Sequence, residues 1–285
     1  MIRILKKGLH TSIQDLGRKG YRNYGIPISG AMDSNSAILS NIILGNKEVD
    51  AVMEITFQGP EIQFLSATRI AITGAIYSPT KNKKPLEMNK SISIQKGDII
   101  NFGAPKSGVR SYLAISGGFQ TELVYGSRSY YEGVTKKGII ENKDEIPFNS
   151  SFKVGLSQYD VHKLCYSSIS NSQTLKVDKG PEFELLNKNQ QHDLLSNTFS
   201  LGINNRMAYQ IQELIPNQLK SIISSAVLPG TVQLTPSGKM ILLMRDCQTT
   251  GGYPRILQLT EQSINFLAQK IQHEKVNFEL TPLSD

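Results

Sequence analysis

Short apolar runs recur along the chain, many of them alternating with polar residues and cut by turn residues. Alternation sends successive side chains to opposite faces, so segments 61–65, 69–73, 91–95, 109–116 and 239–244 read as strands. Gln95-Lys96-Gly97-Asp98, Pro229-Gly230 and Pro236-Ser237-Gly238 read as tight turns between strands. Three segments carry helical spacing instead. Ala37, Ile38, Leu39, Ile42, Ile43 and Leu44 follow a cap at Asp33 or Ser34 and stop at Gly45. After Pro181, the residues Phe183, Leu185, Leu186, Leu194 and Leu195 predict a broken helix. From a cap at Thr260, Ile264, Leu267, Ala268 and Ile271 fall on one side of a third helix. The expected fold is mainly β, with closely spaced strands of a barrel or sandwich and a few short helices.

The chain has 285 residues, which corresponds to roughly two domains at about 150 residues each. Segment 141–172 is polar and loses clean periodicity. The expected division is therefore an N-terminal domain over 1–150, a junction over 151–172 and a C-terminal domain over 173–285. Apolar residues make up 39% and charged residues 19%, a globular composition. Two cysteines, Cys165 and Cys247, exclude a four-cysteine metal site. The net charge of +7 suits anionic ligands but does not by itself indicate nucleic acid. No apolar run approaches the roughly 20 residues that cross a bilayer, and the first residues lack the pattern of a leader. A cytoplasmic protein without membrane or nucleic-acid partners is the expectation.

Candidate chemistry gathers in three clusters. In the first, Asp15 and Arg18 lie in a Gly-rich polar stretch that leads into Ser29-Gly30 and Asp33. They form either a structural ion pair or a ligand-orienting pair with Arg18 gripping an anion. In the second, alternation places Arg110, Tyr112, Ala114 and Ser116 on one strand face. Val109, Leu113 and Ile115 lie on the other, which is expected to be the buried one. Gly117 and Gly118 follow, and Arg128 sits in another donor-rich group. The third cluster follows the apolar strand 240–244: Arg245, Asp246, Cys247, Gln248, Thr249, Thr250, Gly251, Gly252 and Tyr253. Gln248, Thr249 and Thr250 can donate to a carbonyl or phosphate, and the two glycines expose backbone donors. Cys247 has no histidine near it in sequence and reads as an inert buried thiol. Arg206 either meets an anion or covers apolar surface with its stem.

Ordered motifs run over nearly the whole chain. They are Thr11 to Asp33, Gly59-Pro60-Glu61, Thr73-Gly74-Ala75, Arg110 to Gly118, Gly126-Ser127-Arg128-Ser129, Pro229 to Gln233 and Gln248 to Pro254. Together they resemble the biotin-dependent carboxyltransferase-like family, also called the allophanate hydrolase subunit 2 family, and within it the C component of ATP-dependent 5-oxoprolinase. The resemblance implies two cyclophilin-like β-barrel subdomains. It implies a hydrolase component, inactive alone, that works with the 5-oxoprolinase B component to activate 5-oxoproline with ATP and Mg²⁺. The A component then completes ring opening to glutamate, and the B and C components join in a higher-order assembly. No covalent biotin is expected on this chain, because Lys239-Met240 is only half of a biotin-attachment signature. Asp15, Arg110, Asp246 and Gln248 are the catalytic candidates. Arg18, Gly117, Gly118, Arg128, Arg206, Thr249, Thr250, Gly251, Gly252 and Tyr253 are candidates for substrate or phosphate binding. Metal ligands are left open. The alternatives are the carboxyltransferase component of a urea carboxylase-like enzyme and a regulatory protein that sequesters a kinase inhibitor resembling the B component. The chain departs from the family pattern at Lys179-Gly180-Pro181, at Asn204-Asn205-Arg206-Met207-Ala208-Tyr209 and at Ser224-Ser225-Ala226-Val227.

Overall fold

A computed structural model describes residues 1–149 and 173–282. The expected junction over 151–172, with Cys165 and His162, lies outside the described residues. Two compact units account for the rest. Among the described residues one takes 1–19 and 29–149, and the other takes 20–28 and 173–282. The second unit thus includes a nine-residue strap from near the N-terminus.

The first unit is built from two antiparallel sheets. One has six strands in the order Glu145–Ile146, Ile2–Lys6, Glu61–Phe64, Ile99–Asn101, Thr80–Lys81, Lys84–Pro85. The other has five, in the order His10–Gln14, Val52–Thr56, Ser107–Ile115, Thr68–Ile76, Ile92–Ile94. Their inner faces share one apolar core. Ile2, Ile4, Ile62, Phe64 and Ile100 come from the first sheet, and Ile13, Met53, Ile55, Ile72 and Leu113 from the second. Each such side chain contributes about 1.5–3 kcal/mol by leaving water.

The outer face of the five-stranded sheet is covered as well. Helix α1 (Ser34–Leu44) lays Ala37, Leu39, Ile43 and Leu44 on Val52, Ala71, Tyr112 and Ala114. Asp33 caps it as expected, accepting from the Ser36 backbone N–H at 3.1 Å. Gly45 ends it in the left-handed region at φ 70°. The sequence pattern treats the Arg110–Tyr112–Ala114 face as the open one. The structure buries both faces, because α1 occupies the second.

The second unit contains a closed seven-stranded barrel. Its order is Thr174–Lys179, Arg255–Leu259, Thr231–Leu234, Lys239–Leu243, Ala208–Leu214, Phe199–Asn204, Lys275–Leu280, closed by the parallel pairing of the first and last strands. The broken helix after Pro181 is a 3₁₀ turn at Phe183–Leu185 followed by α2 (Lys188–Ser196). Thr260 caps α3 (Glu261–Leu267). Of the two expected barrels, one closed barrel is present, and the first unit pairs two separate sheets.

Gly180 is required at the turn before the 3₁₀ helix, since a Cβ there would lie 2.2 Å from the Arg255 carbonyl oxygen. That close approach lets Glu182 reach back to Arg255. Its carboxylate accepts from Arg255 Nη2 at 2.9 Å and Nε at 3.0 Å. Hydrogen bonding from Arg255 holds the Glu182 carboxyl below its usual range. A lowered carboxyl contributes stability above its unfolded pKa and loses it as pH falls through the folded value. Glu182→Gln should therefore destabilise the protein by about 1 kcal/mol at pH 7. The gap from wild type should close below about pH 4 in urea titrations.

Candidate functional site

In the first unit the Asp15 carboxylate is an anchor. Its Oδ1 accepts from the Gly17 N–H at 2.8 Å and from the Ser127 and Ser129 hydroxyls, each at 2.7 Å. Its Oδ2 accepts from the Arg128 N–H at 2.6 Å. These bonds join the 15–17 loop to the 127–129 loop. The ion pair with Arg18 does not form. Arg18 is fully buried and donates to the carbonyls of Ser129 at 2.6 Å and Val124 at 3.1 Å. The Arg128 guanidinium bonds the Thr121 carbonyl and, at 2.9 Å, Gln120 Oε1. Gly117 and Gly118 form the turn after the Ser107–Ile115 strand, with the Gly117 N–H on Asn46 Oδ1 at 2.9 Å.

Arg110 lies in a charged layer that the sequence only half reveals. Cross-strand register aligns His10, Thr56 and Arg110 in one row and Ser12, Glu54 and Tyr112 in the next. Glu54 is 1% exposed, and its Oε1 lies 4.0 Å from Arg110 Nε. Its Oε2 accepts from the Met32 N–H at 2.7 Å and the Tyr112 hydroxyl at 2.9 Å. The same hydroxyl accepts from the Asp33 N–H at 2.8 Å. Burial, then the Glu54 and Asp33 carboxylates, holds the Tyr112 proton on well above the ordinary phenol range. Glu54 is a residue that sequence reasoning misses. Its one signal is a charge inside the apolar run 51–55.

In the second unit Arg206 and Asp246 meet each other. Nε donates to Oδ2 at 2.7 Å and Nη2 to Oδ1 at 3.1 Å, with both side chains mostly buried. Asp246 is thereby held as the acceptor of a two-pronged pair. Beyond it, the 248–253 loop is fixed chiefly through its backbone. Thr250–Gly251 pairs with Ser225–Ala226, and the Gly252 carbonyl accepts from the Ile222 N–H at 2.9 Å. Gln233, 1% exposed, lies beneath. Its Nε2 donates to the Tyr253 carbonyl at 3.3 Å, and its Oε1 accepts from Gln248 Nε2 at 3.5 Å. A Cβ on Gly251 would come within 2.6 Å of that amide. Beside the Gln248 amide the loop carries the Thr249 and Thr250 hydroxyls and the partly exposed Tyr253 ring. Cys247 is a free, buried thiol, and burial pushes its pKa up to about 12. Gln233, like Glu54, is missed in the sequence as a polar residue within an apolar strand.

The candidates therefore fall into separate groups. Asp15, Arg18 and Arg128 share one network in the first unit, and Arg110 belongs to another. Arg206 pairs with Asp246, and Gln248 to Tyr253 form one loop. Among the described residues no group of three His, Cys, Asp or Glu side chains is placed to hold a metal ion. No helix of the described residues is long and apolar enough to cross a membrane.

The family model described as "Carboxyltransferase domain, subdomain A and B" matches residues 24–280. The chain belongs to this carboxyltransferase family. It is similar to the C component of 5-oxoprolinase from Haemophilus influenzae, at 30% identity over 288 residues, covering 100% of this chain and 93% of that one. It is similar to the same component from Escherichia coli, at 29% identity over 285 residues, covering 98% and 90%. The crystal structure of the K. lactis urea amidolyase superimposes on 99% of this chain with a TM-score of 0.90 at 25% identity. The chain spans 19% of that protein's length. It is thus a carboxyltransferase-type domain related to both kinds of protein.

Tyr112→Phe should cost about 1–3 kcal/mol, because it leaves the buried Glu54 carboxylate and the Asp33 N–H short of a partner. A lower urea midpoint at unchanged slope would show it.

Proposed function

We propose that this chain is a carboxyltransferase-type component acting on an N–C=O centre, and specifically the C component of a 5-oxoprolinase. The observation that carries this reading is the two-way extent of the likeness to the bacterial C components, which covers nearly all of both chains. The substrate would be the lactam 5-oxoproline, with ATP as cosubstrate. A lactam carbon is a poor electrophile. Transfer of the γ-phosphoryl group to the ring oxygen, with ADP leaving, creates a leaving group there. Water then adds to that carbon and the C–N bond breaks with the nitrogen taking a proton, which leaves the carbon as an acyl phosphate; a second water displaces phosphate from it, leaving glutamate.

In this scheme the 248–253 loop lines the substrate. Gln248, Thr249 and Thr250 supply hydrogen bonds, and the backbone amides of Gly251 and Gly252 face developing negative charge. Arg110 is the anion contact of the first unit, with Glu54 setting its position. Asp15 accepts four protein donors and Asp246 is paired with Arg206, so we assign them to holding the site's loops. Mg²⁺ would enter as the ATP complex, since among the described residues no three His, Cys, Asp or Glu side chains gather to hold it by themselves. The B component completes the active site and the A component follows it. The two sheets of the first unit would be the counterpart of the second cyclophilin-like barrel.

A second reading is favoured by the urea amidolyase likeness: carboxyl transfer from a biotin carried on another chain to an amide-type acceptor. The deciding experiment is 5-oxoproline-dependent ATP hydrolysis by this chain alone, with its B component, and with the B and A components together, while glutamate is followed. We expect turnover only when the B component is present and glutamate only in the full mixture. No turnover by a folded B–C pair, together with carboxyl transfer from a biotinylated carrier, would replace the first reading by the second. Gln248→Ala should lower kcat/KM of the active mixture about 10-fold or more while leaving the melting temperature unchanged.

A further inference from the structure

The strap 20–28 belongs to the second unit, although its sequence neighbours on both sides belong to the first. It carries a short 3₁₀ turn, Arg22–Tyr24, closed by Gly25 in the left-handed region at φ 77°. From this turn one guanidinium nitrogen of Arg22, Nη2, donates to two backbone carbonyls, those of Val227 and Thr249, the latter at 3.1 Å. These carbonyls lie on the two segments that pair as Ser225–Ala226 with Thr250–Gly251. The Val227 N–H also donates to the Thr249 carbonyl, at 3.1 Å. Arg22 therefore extends a two-rung ladder by a charged rung that both segments share. A hydrogen bond from a charged donor is about twice as strong as a neutral one. The ladder is otherwise too short to hold itself in water. Beneath it, Cys247 is packed with Val227 and Leu243.

We propose that Arg22 is a positioning residue that locks the 248–253 loop in its ligand-ready form and seals the Cys247 thiol beneath it. The locking and sealing stand on the geometry alone. That the locked form is the ligand-ready one rests on the proposed role of the loop in lining the substrate. Arg22 acts through the Thr249 and Val227 carbonyls, which fix the loop's backbone, so the side chains of Gln248, Thr249 and Thr250 are held where that backbone points them. The motif Thr11 to Asp33 contains the strap, but no periodicity or spacing in it points to a partner for Arg22. Arg22 stands among tyrosines and glycines, and its spacing does not tie it to residues more than 200 positions away.

The test needs no substrate. The full chain and its Arg22→Ala variant are treated with iodoacetamide, and the labelled peptide is identified by mass spectrometry, which separates Cys247 from Cys165. Labelling of Cys247 should be at least fivefold faster in the variant. That rate should stay flat at low urea, as local opening of a loop does and global unfolding does not. An increase below fivefold, or one that climbs with urea as unfolding does, overturns the proposal. In the mixture containing the B component, Arg22→Ala should also raise KM for 5-oxoproline more than it lowers kcat. If the thiol result holds and no mixture turns over 5-oxoproline, the substrate reading falls while the lock stands.

Discussion

A fully buried carboxylate organises the first unit. Glu54 stands in the middle strand of three, with every residue of that strand buried. An ion taken out of water costs several kcal/mol unless its neighbours replace the lost solvent. Here the replacement comes from three places: the backbone N–H of Met32, the hydroxyl of Tyr112 and the guanidinium of Arg110. Met32 and Asp33 directly precede α1, so satisfying the carboxylate also fixes where the helix starts. The small side chains Ala37, Ala71 and Ala114 then allow helix and sheet to approach closely. Slide the helix by one turn and Glu54 would lose its backbone donor. The polar layer therefore sets the register that the apolar contacts alone would leave loose.

The second unit handles charge differently. Arg206 with Asp246, Arg255 with Glu182 and Arg245 with Glu261 are pairs at strand ends, each joining two segments distant in sequence. The 248–253 loop is tied by backbone bonds and by the Gln233 amide. Such an arrangement sets the Thr249 and Thr250 hydroxyls on a rigid support, the condition for placing a small polar ligand accurately.

Periodicity carried most of the fold. The 109–116 alternation, the Asp33 and Thr260 caps and the Gly45 stop are local signals, and each appears in the structure as a strand, a cap or a stop. The extent of burial was not legible, because alternation cannot say whether a helix will cover the second face of a sheet. The site was legible by composition only in part. Gln248 to Tyr253 stood out as a dense polar run after a strand. The pairing of Arg206 with Asp246, 40 residues apart, did not, and neither did Glu54 or Gln233, single polar residues inside apolar strands. Their meaning depends on register between strands, which one sequence does not spell out. Asp15 and Arg18 lie close enough in sequence to suggest a pair, yet each is drawn to the 124–129 segment instead.

The base of the strap has a consequence for how the chain is assembled. The Asp15 carbonyl accepts from the Ala31 N–H at 2.9 Å, and Gly30 packs so tightly on Gly17 that a Cβ would lie 2.9 Å from its nitrogen. The first unit thus pinches residues 16–30 into a closed loop using its own atoms. During synthesis that loop leaves the ribosome well before the segments it will join. Its ends are already gathered when the barrel strands arrive, so the entropy of closing it has been lost beforehand. Capture of the strap then resembles docking of a preformed finger more than threading of a free chain. No single cut separates the two units with their parts intact, and a C-terminal half made alone would be a barrel without its finger.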